Sequence, residues 1–298
     1  MITAHEVTVA AQRIKGWARH TPLFEVDRQL AFKLEYLQVS GSFKARGAFN
    51  RLLAAKERGE LDATAGAVSA SGGNAALAVA YAGVKLGVPV TVFVPETAPA
   101  VKVAKLKALG ANVNQAGSEY AAAFEAAQTY VAETGALFCH AYDQPEVVAG
   151  AGTVGAELIG HADTVLTSVG GGGLIAGVAA ALEGHANVIG AEPENCPTLH
   201  TALSQAAPVD VSVSGVAADS LGARRVGQIA FEVVTRTKTP SLLVSDEEII
   251  AARRSLWEDY RIVVEHGAAA AYAAYRGAKF DGRVVVILCG ANTSLADF

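Results

Sequence analysis

Short apolar runs rich in valine alternate along this chain with longer alanine-rich stretches. The runs at 67–70, 89–94, 112–115, 137–141, 164–169, 188–192, 242–244 and 284–288 have the length of strands. Most of them are apolar at nearly every position, which predicts strands buried on both faces, as in a parallel sheet covered by helices. The alanine-rich stretches between them are long enough to make right-handed crossovers. An α/β class follows. Two helix starts are legible from capping chemistry, Thr3 with Glu6 and Ser245 with Glu248, each pairing a hydroxyl with a carboxylate three residues on.

Composition narrows the class. A chain of 298 residues suits one large domain or two interlocked smaller ones. Neither a Ser/Pro-rich linker nor an internal repeat divides it, so any domain boundary is expected to be crossed by short ordered segments. The net charge of −5 argues against a nucleic-acid partner. The longest apolar stretch, 75–94, is broken by Lys85, Gly87 and Pro89, so no membrane span is expected. Glu6, Gln12, Arg13 and Lys15 interrupt the N-terminus where a signal peptide would need an apolar core. Cys139, Cys196 and Cys289 are far apart and odd in number, which fits neither a disulfide framework nor a zinc site. A cytoplasmic enzyme is the expectation. Because Phe298 follows soon after the last predicted strand, no appended regulatory domain is expected.

Four loops carry candidate chemistry. In Gly41-Ser42-Phe43-Lys44-Ala45-Arg46-Gly47, just after an apparent strand, a lysine stands between an aromatic residue and small neighbours. Such a lysine suits a Schiff base; the plainer reading is an ordinary loop charge. Ser168-Val169-Gly170-Gly171-Gly172-Gly173-Leu174 joins a strand to a helix and offers backbone N–H groups and a helix N-terminus to an anion. A dinucleotide site remains open at this point, since Glu192 ends the following strand where a ribose would be bound. Ser69-Ala70-Ser71-Gly72-Gly73-Asn74-Ala75-Ala76 again turns a strand into a helix. Its N–H groups and the Ser71 hydroxyl suit a carboxylate, the Asn74 amide suits a ring oxygen, and a bare helix start is the alternative. Finally, the strand 284–288 runs into Cys289-Gly290-Ala291-Asn292-Thr293-Ser294, where the cysteine is either a small buried hydrophobe or a weak partner for a pyridine nitrogen. Lysine and glycine quartet together point to a phosphorylated aldehyde, pyridoxal phosphate.

In this order the four loops resemble the serine/threonine dehydratase group of fold-type II pyridoxal-phosphate enzymes, over nearly the whole chain. Thr21-Pro22-Leu23, Lys33-Leu34-Glu35-Tyr36-Leu37-Gln38, Gly150-Ala151-Gly152-Thr153 and Val264-Glu265-His266-Gly267-Ala268 match as well. The resemblance implies two open, twisted, mostly parallel sheets flanked by helices, with the cofactor in the cleft between domains. It implies a large domain of residues 1–49 and 142–298, a small domain of residues 50–141, and a homodimer. By the same analogy Lys44 carries the Schiff base, Phe43 packs on the cofactor ring and Asn74 bonds its 3'-hydroxyl. Gly170, Gly171, Gly172, Gly173 and Leu174 hold the phosphate, and Cys289 approaches the ring nitrogen, where other members have serine. Ser71, Gly72, Gly73 and Asn74 grip the substrate carboxylate. The implied reaction is α,β-elimination from L-threonine or L-serine, with Lys44 as the general base at Cα and a 2-oxo acid and ammonia as products. A neutral ring nitrogen opposite Cys289 favours prompt elimination over a long-lived carbanion.

Departures from the pattern sharpen these expectations. Gly72 stands where serine racemases carry a serine that handles the proton on the second face, so racemisation is expected to be weak. Ala75 replaces a familiar histidine. Members that bind a divalent cation use a glutamate, a backbone carbonyl and an aspartate; Glu192 and the Cys196 carbonyl match, but Thr198 takes the aspartate's place. A monovalent cation or none is expected, and the alternative makes Glu192 a strand-end carboxylate in a hydrogen-bond network. A cysteine-synthase-like enzyme is disfavoured, because Val39-Ser40-Gly41 and Ala45 replace its usual flanking residues. A dehydratase of 3-hydroxyaspartate, or another lyase of β-substituted amino acids, would need a cation such as Arg224 or Arg225. A non-catalytic ligand-binding relative is the reading from a different class, and retention of Lys44 argues against it.

Overall fold

The computed structural model describes residues 1–294. Its strands are β1 Leu23–Glu25, β2 Leu30–Lys33, β3 Ala67–Ala70, β4 Val90–Val94, β5 Asn112–Gln115, β6 Leu137–Phe138, β7 Thr164–Ser168, β8 Asn187–Pro193, β9 Ser241–Val244 and β10 Val284–Ile287. Its helices are α1 Ala4–Arg13, α2 Lys44–Glu57, α3 Asn74–Leu86, α4 Ala100–Ala108, α5 Tyr120–Thr134, α6 Pro145–Ala156, α7 Gly173–Leu182, α8 Thr198–Gln205, α9 Ala218–Leu221, α10 Gln228–Thr237, α11 Asp246–Tyr260 and α12 His266–Gly277. Both capping boxes are present, at the starts of α1 and α11.

The strands form two sheets, ordered β1-β2-β10-β7-β8-β9 and β5-β4-β3-β6. Every pairing is parallel except β1 with β2. This is an α/β fold of mostly parallel sheets flanked by helices.

Three local expectations need correction. The strand expected just before Lys44 is absent: after β2 the chain makes two 3₁₀ turns, Glu35–Leu37 and Val39–Gly41. Ser40 and Gly41 have φ of 64° and 76°, a left-handed pair that no strand accommodates. The strand expected over 137–141 stops at Phe138: Leu137 and Phe138 pair with Ala67 and Val68 of β3, and the ladder ends with the Cys139 N–H donating to the Val68 carbonyl at 2.8 Å. The pair β1 and β2 escaped the pattern, being short and separated by the polar turn Asp27-Arg28-Gln29.

Helix α2 is the hinge of the architecture. Ala45, Ala48, Phe49, Leu52 and Ala55 join the core of the smaller sheet with Val79, Ala80, Val90 and Val92. Its other side meets α6 so closely that a Cβ on Gly150 would stand 2.6 Å from the Arg46 carbonyl oxygen. Only glycine allows that approach. Beneath this contact lies a buried ionic cluster. Arg46 donates to both oxygens of Glu35, at 2.9 and 2.7 Å, and to both oxygens of Glu157, at 2.6 and 3.0 Å. Lys33 completes it through Glu157 and the Thr21 carbonyl. Two cations and two anions balance, so the start of α2 is pinned to β2 and α6 without a stray charge.

Candidate active site

Backbone pairing sets the position of Lys44. Phe43 N–H donates to the Cys289 carbonyl at 3.0 Å, Ala291 N–H donates to the Gly41 carbonyl at 3.0 Å, and Ser42 forms an antiparallel bridge with Gly290. The first residue of α2 is thereby laid against the end of β10. Lys44 Nζ donates to the Ala141 carbonyl at 2.7 Å and sits 4.9 Å from the Phe43 ring centre. Burial pushes its amine down to about 8, with Cys289 and Glu265 acting in the opposite direction. An amine near 8 has an accessible neutral, nucleophilic form around neutrality. Burial moves the Cys289 thiol upward, which keeps it protonated and neutral. Ser42 Oγ, two residues before Lys44, is buried without a hydrogen-bond partner among the described residues. Such a hydroxyl marks a place that a bound group or water completes.

The second loop meets this one through Asn74. Its Nδ2 donates to Glu265 Oε1 at 2.6 Å, and its Oδ1 accepts from Asn292 Nδ2 at 2.6 Å. Asn292 also donates to the Ser40 carbonyl at 2.9 Å, so the amide of Asn74 is held from both ends. Burial pushes the Glu265 carboxyl up to about 7, against the Asn74 hydrogen bond that favours its charged form. Neither Glu265 nor Asn292 was assigned a role from the sequence. The available signal was a lone carboxylate in the apolar run before α12, and an asparagine two residues past Gly290 in the last loop. Gly72 and Gly73 lie beside Asn74 with nothing closer than 3.7 Å to an added Cβ, and the Ser71 hydroxyl accepts from Gly73 N–H at 3.2 Å. Sterics therefore do not demand glycine here, and the loop is simply bare.

Gly170 to Gly173 form a different kind of loop, in which the glycines are needed. A Cβ on Gly170 would stand 3.0 Å from the Leu221 backbone, and one on Gly173 would stand 2.8 Å from the Tyr142 carbonyl oxygen. Gly172 has φ of 87° and caps α7. The Tyr142 ring packs on Gly171, and Tyr142 directly follows Ala141, the residue that holds Lys44 Nζ. Lysine and glycine quartet are thus linked by two consecutive residues. His140, also unforeseen, turns this corner: its Nδ1 accepts from the Tyr142 and Asp143 N–H groups at 3.2 and 2.9 Å. Burial lowers its affinity for a proton, with Asp143 opposing and Lys44 reinforcing the effect.

The remaining sequence candidates fall outside this convergence. Glu192 is fully buried near the end of β8, where its oxygens accept from Leu199 N–H and His200 N–H, both at 2.7 Å, and from the Ser241 hydroxyl. The Cys196 carbonyl accepts Thr198 N–H at 3.0 Å. Arg224 and Arg225 are exposed, and Arg225 pairs with Asp210 at 2.7 Å. The cations that do line the cavity beside Gly72, Gly73 and Asn74 are Lys102 and Lys105 of α4. Lys102 forms an ion pair with Asp219 of α9, across the mouth between the two sheets' helices. No described helix is long and apolar enough to cross a membrane.

Comparison with known proteins identifies the family. The family described as "Pyridoxal-phosphate dependent enzyme" matches residues 14–290. A phenylserine dehydratase from Ralstonia pickettii is 38% identical, over 96% of this chain and 92% of its own. An L-threonine ammonia-lyase from Thermotoga maritima is 34% identical, over 98% of this chain and 76% of its own. Among solved structures, maize serine racemase superposes with a TM-score of 0.92 at 27% identity, covering 99% of this chain and 95% of that one. The chain belongs to the pyridoxal-phosphate dependent enzyme family, within its fold-type II serine/threonine dehydratase group.

Proposed function

We propose that this enzyme eliminates water from L-threonine or L-serine, giving a 2-oxo acid and ammonia, with Lys44 as the group that first binds the cofactor aldehyde and then takes the Cα proton. Pyridoxal phosphate, when bound, supplies the electron sink that makes the Cα–H bond acidic. The observation that carries the reading is Lys44 Nζ, its pKa shifted down to about 8, held by Ala141 one residue from the tyrosine that packs on the glycine loop.

The chain's own groups then divide the work. Ala141 orients Nζ by accepting one of its hydrogens, which leaves the nitrogen lone pair to be aimed elsewhere once the amine is neutral. Phe43 offers an apolar face beside the amine. The loop from Gly170 to Leu174 presents backbone N–H groups and the N-terminus of α7 to the phosphate. Asn74 has its oxygen engaged by Asn292, so what it turns to a ring oxygen is an N–H. Cys289 meets the ring nitrogen as a neutral thiol, which does not hold a proton there. Ser71, Gly72, Gly73 and Asn74, at the start of α3, take the substrate carboxylate on free N–H groups and a hydroxyl. A homodimer in the cytoplasm completes the proposal.

A second reading, dehydration of 3-hydroxyaspartate, draws support from Lys102 and Lys105, which would face the extra carboxylate. One panel tests both. Ammonia and 2-oxo acid release is measured on L-threonine, L-serine and 3-hydroxyaspartate, with the visible band of the lysine-bound cofactor recorded alongside. Turnover of the monocarboxylates is expected, falling at least about 10³-fold in Lys44→Ala together with loss of the band. A Lys44→Ala enzyme with its rate intact overturns the assignment.

A further inference from the structure

The cluster around Glu192 lies behind the glycine loop, and its hydrogen bonds form a closed account. A carboxylate has about four acceptor sites on its two oxygens. On Glu192, Leu199 N–H and His200 N–H fill two of them at 2.7 Å, and the Ser241 hydroxyl fills a third. Those two N–H groups belong to the first turn of α8, where a helix has unpaired donors and a partial positive charge. The Thr198 hydroxyl lies 3.1 Å from the fourth site and only 2.7 Å from the Gly170 carbonyl oxygen. Its one hydrogen therefore goes chiefly to Gly170.

That bond reaches the candidate phosphate loop. Peptide planarity points an amide's C=O and N–H in opposite directions, so fixing the Gly170 carbonyl turns the Gly171 N–H away from α8. The next carbonyl is fixed too, since Gly171 O accepts Gly227 N–H at 3.0 Å, which turns the Gly172 N–H in the same manner. Gly227 leads into α10, whose first N–H groups are held by Asp143 at 3.0 Å. Two successive N–H groups of the loop are thus aimed by protein contacts on their far side.

We propose that Glu192, Thr198 and Ser241 form a cation-independent brace whose task is to position the glycine loop for the cofactor's phosphate. They are positioning residues, acting through Gly170. The site does not fit a metal ion: three acceptor sites of Glu192 are committed to protein donors, and the Cys196 carbonyl already accepts the Thr198 N–H. Thr198 brings no negative charge of its own to offset the desolvation of a cation. The charge a cation would supply comes from the α8 N-terminus. This inference rests on the glycine loop being the phosphate site.

The test measures pyridoxal-phosphate affinity by titration, and thermal melts of ligand-free and loaded protein with sodium, potassium, ammonium, magnesium or calcium against tetramethylammonium. Wild type is expected to bind the cofactor and to melt within about 1 °C of itself in every salt, since a bound ion would raise Tm by mass action. Thr198→Ala is expected to weaken cofactor binding roughly tenfold, the size of one lost hydrogen bond. Thr198→Ser is expected to restore it. Thr198→Asp, which sets a second carboxylate beside Glu192, is expected to acquire a melt that rises with added cation. A rise of several degrees in wild type with any one cation overturns the brace, as does wild-type affinity in Thr198→Ala. Failure of wild type itself to bind pyridoxal phosphate removes the phosphate assignment as well, which separates the two outcomes.

Discussion

Lys44 and Arg46 stand two residues apart on α2, the first part-buried and the second sealed from water, and they have opposite fates. Two residues are about 200° of helical rotation, so the side chains leave the helix on different sides. Arg46 enters the wall between β2 and α6, where Glu35 and Glu157 meet its guanidinium with four hydrogen bonds. Burial disfavours its charge, but the two carboxylates outweigh that and keep it protonated. Lys44 enters the cleft, where its one hydrogen-bond partner among the described residues is a neutral carbonyl, and burial lowers its pKa to about 8. Compensation makes one charge inert. Its absence leaves the other an amine with an accessible neutral form, which the proposed function would use, and Arg46 holds the helix that carries it.

The sharpest way to break this comparison is to remove the compensated charge. Arg46→Met leaves Glu35 and Glu157 buried and facing each other without their shared cation. A loss of about 3–5 kcal/mol in unfolding free energy is expected, the usual cost of orphaning a buried charge. Lys44→Ala, by contrast, removes a burdened amine and is expected to leave the urea midpoint of the ligand-free protein unchanged or slightly raised. If the two variants unfold alike, the division between a structural and a chemical charge is wrong.

Glu265 belongs on the uncompensated side, and its effect is a pH dependence. Its folded pKa of about 7 lies above the ordinary 4.5, so the folded state holds its proton more tightly than the unfolded chain does. The resulting stability is complete below about pH 4.5 and is lost as pH climbs through 7, amounting to at most about 3 kcal/mol. Lys44 works in the other window: its contribution is complete above about 10.5 and is lost as pH falls through 8. Glu265→Gln keeps an oxygen for Asn74 to bond and removes the ionisation. Its melting temperature is expected to gain on wild type between about pH 5 and pH 7.5, in ligand-free protein. A constant offset across that range would show that Glu265 does not titrate as its burial requires.

The two sides of this comparison were unequally legible in the sequence. A strand such as Ala67–Ala70 could be read to the residue, because buried parallel strands have dense apolar runs and loops punctuate them. The loops bearing Lys44, Asn74, the glycines and Cys289 stood out because small residues cluster at these turns, with close backbone approach requiring them at Gly170 to Gly173 though not at Gly72 and Gly73. Glu265, Asn292 and His140 did not. Glu265 and Asn292 are placed by contacts across more than a hundred residues, as between Asn74 and Glu265, and such partners leave no local period or spacing, whereas His140 turns a local corner by accepting from the Tyr142 and Asp143 N–H groups, which no motif announces. Arg46 sat inside the quoted lysine motif, yet nothing in that motif tells that its partners are Glu35 and Glu157. The antiparallel pair β1 and β2 was invisible for a simpler reason, since Leu23–Glu25 and Leu30–Lys33 each end in a charged residue and contain no valine.

The smallest expected effect comes from the pair that neither side of the comparison contains. Lys102 and Asp219 are bonded across the mouth of the cleft, yet 29% and 70% of their side-chain surface faces water. Exposed pairs of this kind contribute about 0–1 kcal/mol, because solvent screens them and both side chains lose freedom. Lys102→Met should therefore leave global unfolding almost unmoved. What the pair does span is the gap between α4 and α9, which border a cavity of only about 30 Å³ beside Gly72, Gly73 and Asn74. That is room for little more than water, so widening of this mouth is expected to ease the entry of an amino acid. Amide hydrogen exchange at Gly72 to Asn74 is expected to quicken a few-fold in Lys102→Met, roughly one lost surface pair's worth. Raising the salt on wild type should reproduce part of that change, since screening weakens the same bond. Exchange that ignores both the substitution and the salt would mean that α4 moves for other reasons, and that a pair spanning the cleft can be as inert as one sealed inside the wall.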